Sequence, residues 1–426
     1  MLRAQERQHD ATQLPGQGVP AVVVACHAWV DDQIGGAFKV ASEVAGRLAA
    51  AGHRVCYVCG TPQAVPENPS IVRGVELWRY EYPRRPSPHP ANLIGHVRET
   101  CRLTKSIART GPILCLNGHS PLQFLGGALA VGKSCPRRVY SVHSPFDEEI
   151  RAGWSNLPMS ATRRFGLRAA AAIDRANCRR ATNVQTLSQY TLDLMRHKYP
   201  QAMRGKGIVC PGWVDTRRFQ LAPSRLAVRG KLDSNWHTDL PVFFTVRRLE
   251  PRMGLDHLIE AVHALSCSAE IPAFRLIIGG AGSQREALES QVRELQLADR
   301  VVFAGRIADD RLPDCFAAAD CFVLPTTALE CFGLIVLESF ASGTPVIATP
   351  VGAIPELITG DRHCWLTAGT AAGQIAERMR DFLTGRLVDS PERLRALAET
   401  YDVEIRAAGL TAALLGDTIE PATAIP

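Results

Sequence analysis

Two carboxylates, Glu330 and Glu338, stand eight residues apart in a stretch with the pattern of strand, loop, helix and strand. Glu330 falls on the loop before Gly333, and Glu338 falls about one and a half turns into the helix. A helix N-terminus attracts phosphate through its free amides, here those of Leu334 and Ile335. This arrangement suits a ligand with hydroxyls at both ends and phosphates between them, such as a nucleotide sugar. The alternative is an exposed loop acid and an ordinary helix acid.

A cluster of arginines marks a second junction between a strand and a helix, in the segment TVRRLEPRMGLDHLIEA. Arg247, Arg248 and Arg252 occur there within six residues. Guanidinium groups bind phosphate oxygens in a bidentate manner, and a leaving diphosphate needs such partners as its charge develops. The alternative is a set of solvated surface arginines, but their place in a loop after a strand favours binding.

Glycines and histidines fall on loops of the first half of the chain. Gly35 and Gly36 lie in the first turn between a strand and a helix, where glycine lets the backbone approach a ligand closely. His119 follows a predicted strand over 113–117, and His143 ends one over 138–143. A single histidine is usually a packed or surface residue. Two at strand ends of one sheet favour a functional role, more for His143 than for His119.

The elements that must carry these residues alternate regularly between strand and helix patterns. The first half opens with PAVVVACHAWV, and the pattern restarts at PVFFTV. We therefore predict an α/β fold of two doubly wound domains, each with a parallel sheet covered on both faces. Ligands bind beyond the carboxyl ends of such strands, here in the cleft between the domains. The predicted segments are a disordered leader (1–19), an N-terminal domain (20–220), a linker (221–240), a C-terminal domain (241–390) and C-terminal helices that pack back on the first domain, followed by a tail (391–426).

Composition excludes several classes of protein. The 426 residues are 46% hydrophobic with a net charge of +6, which is too mild to indicate nucleic-acid binding. No apolar run is long enough for a membrane span, and the N-terminus lacks a signal-peptide pattern, so we expect a cytoplasmic protein. The 13 cysteines are scattered, and the pair Cys56 and Cys59 has no second pair at zinc spacing. We expect no metal site and no cofactor.

Taken together, these motifs resemble those of retaining glycosyltransferase family 4, which has the GT-B fold of two Rossmann-like domains facing across a cleft. The similarity covers roughly residues 20–365 and is strongest in ECFGLIVLESFASGTPVIATPVGAIPEL, which contains the E-x7-E pattern. The glycine turn before a helix that ends in AGHRV is also similar. So are YSVH, TLSQYTLDLM, CPGWVDTRRF, RRL…MGL…LIEA, RLIIGGAGSQREALE and RVVFAGRIADDRL.

The resemblance implies that the N-terminal domain binds the acceptor and the C-terminal domain binds the nucleotide sugar, and it implies roles for the matching residues. Arg248 would bind the donor diphosphate, Glu338 the ribose and Glu330 the donor sugar, while His143 would line the side of the cleft shared by sugar and acceptor. The expected catalytic residues are Arg248, Glu330 and His143, and the expected donor-binding residues are Gly35, Gly36, Arg252, Arg306, Gly333, Leu334, Ile335 and Glu338. The chain departs from the family where Met253 replaces the usual Lys, with Arg252 as the candidate substitute, and where Pro211 replaces an Asn.

The implied reaction is retaining transfer of a hexosyl or N-acetylhexosaminyl group from a nucleoside diphosphate sugar, with a UDP-sugar favoured, to an acceptor hydroxyl. No D-x-D sequence occurs, so cations and helix dipoles would replace a divalent metal. The alternatives are a GT-B sugar-nucleotide epimerase or phosphorylase, and a nucleotide-sugar-binding protein without catalysis.

Two features give opposite indications about the acceptor. An acidic mouth would suit a small cationic acceptor, such as an aminocyclitol or amino sugar in antibiotic assembly. The acceptor-side residues are Asp31, Asp32, His119, Asp147 and Glu148, with Glu149 beside them. A basic face on a predicted helix over 160–180 would instead dock on anionic lipid and favour a lipid-linked acceptor. Its residues are Arg164, Arg168, Arg175 and Arg179. Because that helix lacks a rich apolar face, the sequence favours the small acceptor.

Overall fold

The structure, a computed structural model, describes residues 18–33, 35–65, 68–82, 90–154 and 157–416. Most of the predicted leader and the end of the predicted tail lie outside these residues. The strands are β1 (Ala21–Ala25), β2 (Arg54–Thr61), β3 (Ser70–Val72), β4 (Val75–Glu81), β5 (Ile113–Gly118), β6 (Arg137–Val142), β7 (Asn183–Thr186), β8 (Gly207–Val209), β9 (Val242–Val246), β10 (Arg275–Gly279), β11 (Val301–Gly305), β12 (Cys321–Leu324) and β13 (Val346–Ala348).

Helices cover both faces of the strands. They are α1 (Gly36–Ala50), α2 (Pro90–Thr110), α3 (Pro121–Val131), α4 (Phe146–Gly153), α5 (Ala161–Arg180), α6 (Gln189–Lys198), α7 (Pro200–Met203), α8 (Arg225–Arg229), α9 (Leu255–Ser266), α10 (Arg285–Glu294), α11 (Leu312–Ala318), α12 (Leu334–Ala341), α13 (Ile354–Leu357), α14 (Ala372–Leu383), α15 (Pro391–Glu399) and α16 (Val403–Leu415). Within the part of the chain that the structure describes, none of these helices is both long and apolar enough to cross a membrane.

The strands form two separate sheets. The first has the order β3-β4-β2-β1-β5-β6-β7-β8 and is parallel except for β3, which pairs antiparallel with β4. The second has the order β11-β10-β9-β12-β13, and its strand pairs are parallel. The predicted α/β class with two doubly wound halves is confirmed. The strand order reverses between β1 and β5 in the first sheet and between β9 and β12 in the second, and ligands bind at such switch points.

The loops after these four switch-point strands carry the candidate residues. Gly35 follows β1, His119 follows β5, Arg247 follows β9 and Glu330 follows β12. The strands hold these positions firmly because they are buried on both faces, as the fully buried AVVVA of β1 illustrates.

Three elements of the first sheet's outer half were not predicted from sequence: the hairpin of β3 and β4, and helix α2. Strand β4 mixes charged and apolar residues because Glu76, which is buried, pairs with Arg54 on the neighbouring strand β2. An apolar-run criterion does not detect a strand whose buried position is filled by a carboxylate.

The segment 221–240, predicted as a patternless linker, packs on the second domain. Trp236 is 1% exposed and its ring lies 5.3 Å from that of Phe244 on β9. Arg229 is buried and donates a hydrogen bond to the carbonyl of Ala318 at 2.9 Å. At the C-terminal end of the described chain, α16 shares a core with α1 of the first domain through Ala407 and its neighbours.

The buried ion pair between Arg54 and Glu76 gives a test of the first domain's core. The Arg54 Nε–Glu76 Oε1 distance is 2.8 Å, and both side chains are less than 5% exposed. Glu76→Gln would leave a buried guanidinium without its counter-charge, and we expect the free energy of unfolding to fall by about 3–5 kcal/mol. Urea unfolding followed by circular dichroism measures this loss. Glu43→Gln, which alters the more exposed Glu43–Arg47 pair, is the control and should cost less than about 1 kcal/mol.

Candidate active site

The N-termini of α1 and α12 lie side by side across the cleft between the two domains. A Cβ added at Gly36, the first residue of α1, would lie 3.7 Å from Cδ1 of Leu334, the first residue of α12. One turn further along both helices, Lys39 Nζ lies 2.7 Å from Glu338 Oε1. The first amides of a helix have no intrahelical acceptor, so both helices direct unpaired donors toward the same space. The arrangement forms an anion-binding position between the two domains.

Glu330 is held beside α12 by an arginine behind it. Arg247 Nη2 lies 2.8 Å from Glu330 Oε2, and Arg247 also donates to the hydroxyl of Thr326. Both side chains of the ion pair are largely buried. Burial lowers the pKa of the Arg247 guanidinium, and the Glu330 carboxylate opposes that shift. The pair therefore fixes the direction of the Glu330 carboxylate at the edge of the cleft.

Two glycines allow the backbone to pass close to this ion pair. Gly352, with φ of 64°, packs on the carbonyl of Glu330, and Gly280, with φ of 123°, packs on the carbonyl of Arg247. A Cβ at either position would overlap the carbonyl oxygen, and both φ values lie in the region that favours glycine. The two glycine turns thus support the backbone of both members of the pair.

Glu149 of α4 reaches across the cleft to the other two arginines of the cluster. Its Oε1 lies 3.6 Å from Arg248 Nη2 and 3.8 Å from Arg252 Nη2, and its Oε2 accepts a hydrogen bond from Ser144 at 3.1 Å. Arg252 also donates to the carbonyl of Leu329 at 3.0 Å. The carboxylate therefore lies where both guanidinium groups present hydrogen-bond donors, as an anionic ligand would.

His119 and His143 belong to one hydrogen-bonded chain that fixes their tautomers. Asn117 donates through Nδ2 to Ser141 at 2.8 Å, so its Oδ1 is an acceptor, and His119 Nε2 must donate to it at 2.6 Å. The neutral His119 ring then accepts at Nδ1 from His143 Nε2, 3.0 Å away. His143 is thereby left with an unprotonated Nδ1. Burial lowers the pKa of His143 to about 4, and burial with the nearby His143 lowers the pKa of His119.

The acids that suggested an open acidic mouth are paired with cations of their own domain. Asp31 lies 3.4 Å from Arg73, and Asp32 lies 3.3 Å from Arg79. Asp147 and Glu148 both lie 2.6 Å from Lys198 Nζ. Of the five acids, Glu149 is the one that faces the arginines of the second domain. The structure therefore does not support the electrostatic reason for which the sequence favoured a cationic acceptor.

The remaining residues singled out in the sequence lie in the second domain. Arg306 is exposed and follows β11, where the carbonyl of Gly305 accepts a hydrogen bond from Gly280 N at 2.7 Å. Gly333 is the left-handed residue before α12, with φ of 93°. Met253 is 4% exposed in the core of the second domain, where the resembled family has a lysine. Among the described residues, no group of three or more histidines, cysteines, aspartates or glutamates is arranged to hold a metal ion.

The sequence reasoning missed Lys39, although its position one turn after Gly36 on α1 could have indicated it. It also missed how the first domain holds the Glu330 loop. Ser188 Oγ and Thr191 Oγ1, at the start of α6, donate to the carbonyl of Cys331 at 2.6 and 3.1 Å. These contacts join residues more than a hundred positions apart, which no local pattern encodes.

Comparison with known families assigns each half of the chain. Residues 34–218 match the family described as "Glycosyltransferase Family 4", and residues 231–400 match "Glycosyl transferases group 1". Together the two matches cover more than half of the chain.

Curated relatives are similar over part of their length. The chain is 30% identical over 244 residues to the "GDP-mannose-dependent alpha-(1-6)-phosphatidylinositol monomannoside mannosyltransferase" of Mycobacterium tuberculosis, covering 55% of this chain and 58% of the relative. It is 31% identical over 264 residues to the "2-deoxystreptamine glucosyltransferase" of Streptomyces kanamyceticus, covering 60% and 66%. It is 34% identical over 209 residues to the "D-inositol 3-phosphate glycosyltransferase" of Streptomyces avermitilis, covering 47% and 43%. The chain thus spans less than two thirds of these relatives.

Solved structures share the fold over nearly the whole chain. The sucrose-phosphate synthase of Thermosynechococcus elongatus superposes with a TM-score of 0.75 at 20% identity, covering 93% of this chain and 98% of that one. HepE of Anabaena, in complex with UDP and glucose, superposes with a TM-score of 0.70 at 18% identity, covering 93% and 100%. The GT-B fold is therefore confirmed.

The histidine chain predicts a titration that differs from that of an ordinary histidine. We expect His143 to titrate with a midpoint of about 4 and to lack a proton on Nδ1 at neutral pH. Asn117→Leu should abolish the single tautomer, because His119 Nε2 loses its acceptor. Nitrogen-15 NMR of the imidazole rings measures both. A midpoint near the ordinary value of about 6.5, or a proton on His143 Nδ1, contradicts the assignment.

Proposed function

Since the chain belongs to glycosyltransferase family 4, with a GT-B fold, we propose that it transfers a hexosyl group from a nucleoside diphosphate sugar to a hydroxyl acceptor, with retention of configuration. The observation that carries the proposal is the convergence of the two helix N-termini between Glu330 and Glu338, beside the arginines after β9. It provides donors for two phosphates and acceptors for hydroxyls on either side.

The donor occupies the space that protein charges fill in this structure. The diphosphate lies against the first amides of α12 and against Arg248 and Arg252, and it replaces the Glu149 carboxylate at these arginines. The ribose hydroxyls donate to Glu338, which is then released from Lys39. Glu330, oriented by Arg247, accepts from hydroxyls of the transferred sugar.

The reaction needs the leaving diphosphate to be stabilised as the bond to the sugar's anomeric carbon breaks. Arg248, Arg252 and the α12 N-terminus supply donors where that negative charge develops. The acceptor hydroxyl attacks on the face from which the phosphate departs, and a phosphate oxygen takes its proton. This scheme requires no carboxylate nucleophile, so Glu330 keeps its role of binding hydroxyls. His143 presents an acceptor nitrogen beside the reacting sugar.

We propose a cyclitol ring as the acceptor. Three similar proteins carry names that include 2-deoxystreptamine, D-inositol 3-phosphate or phosphatidylinositol, and each of these compounds contains a cyclitol. The sequence favoured an aminocyclitol because of an acidic mouth, but Asp31, Asp32, Asp147 and Glu148 are neutralised within their own domain. A neutral polyol ring therefore fits better than a cationic one.

Arg248 provides the test of the diphosphate assignment. Arg248→Ala should lower kcat by at least about 100-fold, because a donor aimed at the developing charge is lost. Since Arg248 is exposed, the fold and the melting temperature should be unchanged. Arg386→Ala, an arginine of the same domain with similar exposure, is the matched control. Full turnover by Arg248→Ala would overturn the assignment.

The donor and the metal requirement are tested with the unaltered protein. A thermal-shift screen should find a UDP- or GDP-hexose that raises Tm, and Glu338→Ala should reduce this shift through loss of the ribose contact. Mass spectrometry of reactions with cyclitol acceptors detects the product, whose yield should be the same with and without EDTA. Conversion of the donor without an acceptor would indicate an epimerase, and a requirement for inorganic phosphate would indicate a phosphorylase. No shift with any nucleotide sugar would refute the proposed function.

A further inference from the structure

Helix α5 exposes a continuous stripe of arginines. Seven exposed residues lie along one face of this helix, which is about 30 Å long. They are Ala161, Arg164, Phe165, Arg168, Ala172, Arg175 and Arg179, and the exposed residues Thr162 and Arg180 lie outside this face. The four arginines predicted from sequence to share a face are thus all exposed on one side. Within the described residues, no carboxylate lies within ion-pair distance of any of them.

Helix α5 carries most of the net positive charge of the chain. Helix α5 contains six arginines and one acid, Asp174, so it accounts for most of the net charge of +6. Asp174 is fully buried and accepts hydrogen bonds from Tyr140 at 2.6 Å and from Phe146 N at 2.7 Å. The single acid of the helix therefore faces the protein interior, and the positive charge of the outer face is uncompensated.

The N-terminal end of the stripe carries exposed apolar side chains. Phe165 is 73% exposed, Leu157 is 47% exposed and Met159 is 40% exposed. The segment before the helix is tied to its first turns, because Arg163 donates to the carbonyl of Pro158 and its amide donates to Ser160 Oγ. Phe165 therefore lies on the exposed face beside Arg164 and Arg168, and Leu157 and Met159 lie in the segment joined to the first turn of the helix. The sequence indicated no apolar face because Leu157 and Met159 precede the helix.

This surface lies next to the mouth of the cleft. Helix α5 packs on α4, and α4 carries Glu149, which contacts Arg248 and Arg252 of the second domain. Ala152 of the same helix lines a pocket of about 230 Å³ together with Pro251 and Arg252. A partner bound along α5 is thereby placed beside the side of the cleft that receives the acceptor.

We propose that the surface formed by Leu157, Met159, Phe165 and the exposed arginines of α5 docks on a bilayer containing anionic lipids. Arginines bind the lipid phosphates, while the apolar side chains enter the boundary between headgroups and acyl chains. A nucleic acid would match the arginines but would leave the aliphatic side chains of Leu157 and Met159 in water. The docked enzyme receives an acceptor whose hydroxyl is carried by a membrane lipid, a consequence that rests on the proposed function.

Vesicle co-sedimentation tests the docking directly and needs no turnover. The unaltered protein should bind vesicles of phosphatidylcholine mixed with phosphatidylglycerol, and should bind pure phosphatidylcholine vesicles far more weakly. Arg164→Gln combined with Arg168→Gln should weaken binding about 25-fold, at about fivefold for each charge. Phe165→Ser should weaken it about tenfold through lost apolar burial. Added salt should release the protein, since the attraction is partly ionic.

Matched controls come from the second domain. Val388→Ser alters a side chain that is 79% exposed, and Arg386→Gln alters an arginine that is 74% exposed, so both should leave vesicle binding unchanged. Equal binding by the α5 variants and the controls, or no preference for phosphatidylglycerol, would overturn the proposal. The α5 variants should keep the thermal shift with nucleotide sugars. Loss of vesicle binding is therefore distinguishable from failure of the proposed function.

Discussion

The N-termini of α1 and α12 lie close together, and this proximity is the constraint on which the charges of the cleft depend. Their dipoles place partial positive charge at the same point, so the close approach of α1 and α12 is unfavourable unless negative charge lies nearby. Glu338 of α12 forms an ion pair with Lys39 of α1, and this pair adds no net charge. Glu149 brings a negative charge to Arg248 and Arg252 on the same side of the cleft. A bound diphosphate would stabilise the positive ends of the two helices more than these carboxylates do, because it carries more negative charge and more hydrogen-bond acceptor atoms.

The ion pairs of the cleft differ in burial, and this difference separates one pair that stays in place from others that a ligand can displace. Arg247 and Glu330 are largely removed from water, so separating them leaves a desolvated charge and costs several kcal/mol. Lys39 is 44% exposed and Glu149 is 42% exposed, and ion pairs of that kind contribute about 0–1 kcal/mol. A ligand can therefore displace the exposed pairs while Glu330 keeps its orientation. The hydrogen bonds from Ser188 and Thr191 to the carbonyl of Cys331 hold the loop during that exchange.

The sequence predicted what depends on local pattern and failed where tertiary contacts decide. Apolar strands followed by glycine turns located Gly36, Arg247 and Glu330 at the edges of the sheets, because burial on both faces leaves a plain signal. The sequence could not predict which charged side chains form ion pairs, because their partners lie far away in sequence. Asp147 is paired by Lys198 and Glu338 by Lys39, at separations of 51 and 299 residues. The strand β4 was missed for the same reason, because its buried Glu76 is acceptable only beside Arg54.

The pairing of acids and bases in the structure also changes how the net charge of the chain is interpreted. A charge of +6 spread over 426 residues predicts no particular partner. The structure shows instead that Asp31, Asp32, Asp147 and Glu148 pair with cations of their own domain. Among the described residues, no carboxylate lies within ion-pair distance of Arg164, Arg168, Arg175 or Arg179 of α5. The fold therefore pairs these acids with cations and leaves the exposed arginines of α5 without such partners among the described residues. A positive stripe that ends in Phe165, beside a cleft built for an anionic donor, points to an anionic, partly apolar surface as the place where the acceptor is met.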